Sequence, residues 1–220
     1  MTSTEKPTSA GADVVCAGLL HVYASEQGSV AALRNADLAV KAGEMLAIVG
    51  PSGSGKTTLM LLLSGLLRPT AGAVLIGGRD ITQLDEASLT RLRATELSLL
   101  LQDPLRNLLP YATISQNISF AARGARQRGW PLRWSTEELA ERMGLAELAD
   151  RPVYRLSAGQ QNRVAIAAAL ATSPRVLLAD EPTGQLDPHS RDMVIAALRD
   201  ARELSGATVI VVTHDLAVSE

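Results

Sequence analysis

The sequence predicts an α/β domain, a mainly parallel sheet flanked by helices with a helical segment inserted into it. Three observations carry this expectation. Short apolar runs at Met45–Val49, Leu97–Leu101, Val176–Ala179 and Thr208–Val212 have the continuity of strands buried on both faces. Helical patterns separate these runs, and strands alternating with helices fold as a doubly wound parallel sheet. Between Gln102 and Ser157 the strand signals stop and the pattern becomes mainly helical, which reads as an insertion.

Taken in order, Met1 to Asp13 is polar and rich in small residues, lacks the apolar core of a signal peptide, and is expected to be a disordered tail. Met45–Val49 is a strand and Gly50 to Gly55 a tight loop. Lys56 to Leu67 reads as a helix ended by Arg68-Pro69. Val74–Ile76 followed by Gly77-Gly78 is a strand and turn, and Leu97–Leu101 a strand ending at Gln102-Asp103-Pro104. Ser135-Thr136-Glu137-Glu138 has the spacing of a capping box and starts a helix expected to reach about Met143. Gln160 to Ala171 is an Ala-rich helix between the insertion and the strand at Val176. The longest apolar run, Leu59 to Leu67, is broken by Ser64-Gly65 and is far shorter than the roughly 20 residues a membrane helix needs. The expectation is a soluble protein whose membrane link comes through a partner.

The 220 residues suit one large α/β domain or one domain with an insertion. With 46% hydrophobic residues and only 3% aromatic, the core must be built from Leu, Val, Ile and Ala. A net charge of −2 argues against a nucleic-acid-coating protein, and no nucleic-acid partner is expected. The single cysteine, Cys16, excludes an intrachain disulfide framework and fits a reducing compartment. Arg123, Arg126, Arg128, Trp130, Arg133 and Trp134 form a basic stretch with two aromatics, read as a solvated helical face or a partner surface.

The chemistry begins at Gly50-Pro51-Ser52-Gly53-Ser54-Gly55-Lys56-Thr57, a full match to G-x-x-x-x-G-K-[ST]. Glycines let successive N–H groups point inward at phosphate oxygens, where side chains would block the approach. The helix that follows adds its positive N-terminal end. Lys56 supplies a mobile cation for the β- and γ-phosphates, and Thr57 a hydroxyl for Mg²⁺, which prefers hard oxygen ligands. The neighbouring Thr58 belongs to the same nucleotide-binding set.

Val176-Leu177-Leu178-Ala179-Asp180-Glu181 places two acids where a buried strand emerges. Adjacent strand residues point to opposite sides, so the two are expected to hold different posts. Asp180 would hold Mg²⁺, and Glu181 would orient and polarise an attacking water. Two acids at a strand end are often simply solvated; it is the phosphate loop that gives these a role. Thr213-His214-Asp215 follows another buried strand, so His214 should reach the same sheet edge and the γ-phosphate. Ser157 in Leu156-Ser157-Ala158-Gly159-Gln160 is an ordinary helix N-cap taken alone, and a functional residue when joined to the other motifs.

In this order the motifs resemble those of an ABC-transporter ATP-binding subunit, over roughly Val14 to the C-terminus. The resemblance implies a P-loop NTPase fold with an N-terminal antiparallel β part and a helical subdomain. It divides the chain into a tail (1–13), a nucleotide-binding core (14–102 and 157–220) and a helical insertion (103–156). Tyr23 sits where the family stacks an aromatic on adenine. Gln102 matches the glutamine that reaches the metal and water at the hinge of the insertion, and Gly184-Gln185-Leu186-Asp187 the loop linking two composite sites. Ser157, Gly159 and Gln160 match signature positions that meet the γ-phosphate bound by a partner subunit, while Asp180, Glu181 and His214 match the metal-site acid, catalytic carboxylate and switch histidine. Lys56 and Gln102 complete the catalytic set. The implied cofactors are ATP and Mg²⁺; the implied partners are a second ATP-binding subunit, identical or not, and a membrane permease. The chain itself would sit at the cytoplasmic face of the cell membrane, peripheral through that permease. Asn107-Leu108-Leu109-Pro110, with Thr113 and Asn117, is similar to the lipoprotein-release, macrolide-export and cell-division branch.

Two departures stand out. Ala158 replaces the usual first glycine of the signature, and a methyl group there is expected either to crowd the γ-phosphate or to restrict the backbone that presents its N–H. Hydrolysis is therefore expected to speed up in Ala158→Gly, and equal steady-state turnover in the two proteins would reject the idea. The chain also stops at Glu220, soon after His214, whereas the family usually continues through another strand and turn. Two further readings compete. One is a regulatory ATPase that transmits force through a permease-like partner without cargo. The other is a soluble ATPase of DNA repair or translation, disfavoured because no sustained heptads lie between Thr57 and Ser157 and only one cassette is present.

Overall fold

The computed structural model describes residues 11–25, 28–184 and 186–214. Four strands form the parallel sheet: β3 (Met45–Val49), β6 (Leu97–Leu100), β7 (Val176–Asp180) and β8 (Thr208–Thr213), in the order β3-β8-β7-β6. Every residue of β7 and β8 is buried, and consecutive residues serve different cores. Leu177, Ala179, Val209 and Val211 join one apolar cluster; Val176, Leu178, Ile210 and Val212 join the other. Cores on both faces are why these strands read as unbroken apolar runs.

A second, antiparallel sheet covers one face. It contains β1 (Val14–Ser25), β2 (Gly28–Val40), β4 (Ala71–Ile76) and β5 (Arg79–Asp80), in the order β2-β1-β4-β5. With α1 (Lys56–Leu63) and α2 (Glu86–Thr95) it encloses the second cluster. The opposite face carries α3 (Ile114–Gln127), α4 (Thr136–Arg142), α5 (Ala158–Leu170) and α6 (Pro188–Ser205). Ile114, Ile118 and Leu139 of the inserted helices pack in the same cluster as Leu177 and Val211. The insertion therefore shares its core with the sheet.

Two ladders set the position of the site. Val49 pairs with Thr213, and Asp180 with Val212. The loop after β3, the acids after β7 and His214 after β8 thus leave the sheet at one carboxyl edge, where open α/β sheets bind ligands. Leu100 pairs with Ala179, so Gln102 leaves β6 at that edge as well.

Several boundaries differ from expectation. The first helix ends at Leu63 rather than Leu67: Ser64 caps it, and the N–H groups of Leu66 and Leu67 both turn back to the Leu61 carbonyl. Of the expected tail, residues 1–10 lie outside the described residues, but residues 12 and 13 are anchored. Ala12 is buried, its carbonyl accepts from Thr208 Oγ1, and Asp13 Oδ1 accepts from the Ala42 N–H at 2.7 Å. The capping box at Ser135 is present and starts α4, and equivalent boxes start α3 at Thr113 and α5 at Ser157. Trp130 and Trp134 are not a surface pair: Trp134 is buried, and Trp130 Nε1 donates to the Ser173 carbonyl at 3.3 Å. Asn107 and Asn117 act as staples. Asn107 bonds both backbone groups of Leu101, and the buried Asn117 bonds Leu109 through both its N–H and its carbonyl.

Candidate functional site

The loop after β3 closes on itself through Ser54 N–H to the Pro51 carbonyl, 3.3 Å, and α1 begins directly from it. No side chain caps the first turn of α1, and no acidic residue lies in it. Its N–H groups are left for a ligand, which suits an anion. Gly53 and Gly55 hold φ of +80° and +89°, where a side chain is strained.

At the sheet edge the side chains converge. Lys56 Nζ donates to the carbonyls of Gly50 at 2.7 Å and Pro51 at 2.9 Å, and lies 3.8 Å from Glu181 Oε1. Glu181 Oε2 is 2.8 Å from His214 Nδ1 and accepts from the His214 N–H at 3.2 Å. Thr57 Oγ1 donates to Asp180 Oδ1 at 3.3 Å. Tyr23 on β1 places its hydroxyl 3.4 Å from Thr58 Oγ1. A cleft of about 550 Å³ is lined by Ser52, Gly53, Gly55, Lys56, Thr57, Thr58, Gln102, Glu181 and His214. Ala32 also lines it, contributed by β2, a residue that no sequence motif marks.

Glu181 corrects one expectation. It does not sit on the opposite side of a strand from Asp180, because the strand has ended: its φ is +48°, in the left-handed region. Its carbonyl accepts from the Gly184 N–H at 3.0 Å, closing a tight turn, and its own N–H is held by the Val212 carbonyl at 2.8 Å. A non-glycine residue held there costs on the order of 1 kcal/mol or more, and such strain clusters at active sites. The turn, not strand alternation, aims the carboxylate at Lys56 and His214.

Burial raises the pKa of Asp180 above the usual carboxylate range, with nearby Glu181 adding to this and the Thr57 hydrogen bond and Lys56 opposing it. A buried carboxylate beside a hydroxyl is a hard-oxygen pair short of positive charge, and it fits Mg²⁺, which takes one or two protein oxygens together with substrate phosphates. Among the described residues no group of three or more His, Cys, Asp or Glu converges as a metal site. Because the folded pKa is raised, the native state keeps its proton to higher pH than the unfolded chain. Stability should therefore fall as pH rises from the ordinary aspartate range through the raised value. Asp180→Asn should remove that slope and melt no lower than wild type at pH 7, yet lose metal-dependent ATP turnover. Melts across pH with parallel turnover assays check both parts.

The signature residues are not in the cleft. Ser157 and Gln160 bond each other: Gln160 N–H donates to Ser157 Oγ at 3.3 Å and Ser157 N–H to Gln160 Oε1 at 3.0 Å. Within one chain they act as a helix cap. Gly159 has a second constraint, since a Cβ there would lie 2.6 Å from Ser190 Oγ and 2.9 Å from Ser190 Cβ at the start of α6. Ser190 is thus a neighbour of the signature that no local pattern announces. Gly159→Ala should overpack this contact and cost about 1–3 kcal/mol, with Ser190→Gly restoring most of the loss. Thermal denaturation of the single and double variants checks it. Ala158 opens α5 exposed, so its methyl meets no crowding within the chain. Gln185 and Asp215 lie outside the described residues.

A family model described as ABC transporter matches residues 33–184. The chain belongs to the ABC transporter family. Its domain is the ATP-binding, ATP-hydrolysing cassette of that family. It is 45% identical over 193 residues to the macrolide export ATP-binding/permease protein MacB of Salmonella choleraesuis, covering 88% of this chain but only 29% of that protein. It is also 44% identical over 184 residues to the lipoprotein-releasing system ATP-binding protein LolD of Anaeromyxobacter dehalogenans, covering 83% of this chain and 76% of that one. Among solved structures, a dimeric post-hydrolysis state of the ATP-binding cassette MJ0796 bound to ADP and Pi superposes with a TM-score of 0.82 at 33% identity, covering 93% of this chain and 89% of that one. The branch implied by Asn107–Pro110, Thr113 and Asn117 agrees with the names of these relatives.

Proposed function

We propose that this ABC cassette is the ATP-hydrolysing subunit that powers a membrane transporter through closure of a cassette dimer over two ATP·Mg²⁺. One observation carries the reading. Lys56, Asp180, Glu181 and His214 meet at one sheet edge, while the signature that would complete the site stands outside that cleft. A phosphate held at this edge still needs the signature of a second ATP-binding subunit, identical or not.

In this reading Lys56 leaves the Gly50 and Pro51 carbonyls for the β- and γ-phosphates, and Tyr23 stacks on adenine. Thr57 and Asp180, with Gln102, would hold Mg²⁺, which neutralises phosphate charge when bound. Glu181 orients the attacking water and accepts its proton, and His214 braces Glu181 and contacts the γ-phosphate. Positioning and charge do the work.

Among the described residues no helix is long and apolar enough to cross a membrane; in this reading a permease receives the force. A groove of about 690 Å³ that reaches Leu101, the residue before Gln102, offers the place. Leu66, Leu99 and the half-exposed Phe120 line it with Arg123, between β6 and the inserted α3. A permease segment seated there would feel the insertion move as Gln102 responds to nucleotide, at the cytoplasmic face of the membrane.

The test is affinity purification of tagged Glu181→Gln chain from native membranes with ATP, with partners identified by mass spectrometry. A polytopic permease is the expected result. Recovery with ribosomes or DNA alone would overturn transport coupling.

A further inference from the structure

We propose that His21 is a positioning residue for nucleotide binding, one that holds the Tyr23 ring at the mouth of the phosphate loop. The inference rests on the reading of Tyr23 as the base-stacking ring. His21 and Tyr23 lie two residues apart on β1, with ring centroids 4.6 Å apart and planes at 80°, an edge contact. The strand is bulged on both sides of His21, whose partner on β2 is Leu33 while Val22 pairs with Ala31. Bulges re-aim side chains, and these fall where the ring pair forms.

The two rings differ in exposure: His21 is 8% exposed and Tyr23 44%. A buried ring therefore backs an open one. The far end of Tyr23 is tied through its hydroxyl to Thr58 Oγ1, beside Thr57 of the phosphate loop. The stacking ring is thus held at two points, the imidazole and the Thr58 hydroxyl.

Packing alone does not account for a histidine here. Its Nδ1 is buried without a hydrogen-bond partner, the one such side-chain atom among the described residues. A leucine or methionine would fill the space without desolvating a ring nitrogen. What the imidazole adds is an aromatic edge, and edge-to-face pairs are directional where aliphatic contacts are not. A ring fixed before binding loses less freedom when a base stacks on it. The consequence falls on affinity, not on the chemical step.

The experiment measures Kd for ATP and for inorganic tripolyphosphate, together with kcat, KM and melting temperature. The full chain carries His21→Leu, His21→Phe, Tyr23→Ala or His21→Leu with Tyr23→Ala. His21→Leu should weaken ATP binding about three- to tenfold, the range of an aromatic pair, with kcat unchanged. Tripolyphosphate, which has no base, should bind as before. His21→Phe should restore most of the loss, and His21→Leu should add nothing once Tyr23 is alanine. Equal losses for ATP and tripolyphosphate, a full further loss in the Tyr23→Ala background, or unchanged ATP affinity would each overturn the proposal. If Tyr23→Ala itself leaves ATP affinity untouched, the base-stacking reading falls, and the inference with it. If Tyr23→Ala weakens ATP and His21→Leu does not, only the role of His21 falls. Should His21→Leu melt below the assay temperature, His21→Met, of similar volume and without a ring, carries the same comparison.

Discussion

Glu181→Gln should bind ATP at least as tightly as wild type while its turnover falls by roughly 10²- to 10⁴-fold, the range for loss of a positioned general base. The substitution is nearly isosteric. Glutamine keeps a carbonyl oxygen for the His214 N–H, and its backbone enters the same left-handed turn at the same cost. What disappears is the carboxylate 3.8 Å from Lys56 and its ability to take a proton. Removing a negative charge from the lip of a phosphate site favours an anionic ligand, which is why affinity should not fall. Equilibrium ATP binding and steady-state phosphate release, measured on one preparation, separate the two effects. Turnover within about tenfold of wild type would show that another group activates the water.

Gly55→Ala should abolish tight ATP binding and lower the melting temperature markedly, whereas Gly53→Ala should be much milder. Both glycines hold left-handed φ angles, so each alanine pays about 1–2 kcal/mol for its backbone conformation. They differ in their surroundings. A Cβ on Gly55 would lie 2.4 Å from the Ala32 carbonyl oxygen and 3.1 Å from Leu33 Cδ2, while nothing lies within 4 Å of one on Gly53. The Ala32 carbonyl belongs to β2, so relief requires the antiparallel sheet to move off the phosphate loop, distorting the cleft it lines. Each kcal/mol lost corresponds to about 2–4 °C in a domain of this size. Thermal melts and ATP titrations of the pair compare a purely dihedral cost with a dihedral and steric one. Equal behaviour would mean that contact between β2 and the loop is unimportant.

The legible parts of this protein are those whose physics is local. The phosphate loop announces itself because its glycines, lysine and threonine act through their own backbone and the helix they start. The strands β3, β6, β7 and β8 are legible because two cores demand unbroken apolar runs. The capping box at Ser135 is legible because its two hydrogen bonds span only three residues. Local signals also mark α6, with its Asp187 cap, Pro188 at the first turn and Gly206 at the end. The strands β1 and β2 are implied only by the resemblance, as an antiparallel β part. Bulges after Cys16, Leu19 and His21 break the period-two alternation by which a strand is read.

From its sequence alone this chain is an α/β nucleotide-binding domain with the acids, lysine and histidine of an ABC cassette. The tertiary structure alone decides how those groups meet. Asp180 faces Thr57 because β7 pairs with β8 in one register and β8 with β3 in another. Glu181 reaches His214 because its turn leaves the strand direction. Ala32 against Gly55, Ser190 against Gly159 and His21 behind Tyr23 are contacts set by sheet register, helix packing and bulge position. A motif records what neighbouring residues do to one another. Which distant residue closes over it is settled by how the apolar faces of the whole chain are buried, and no short segment contains that information.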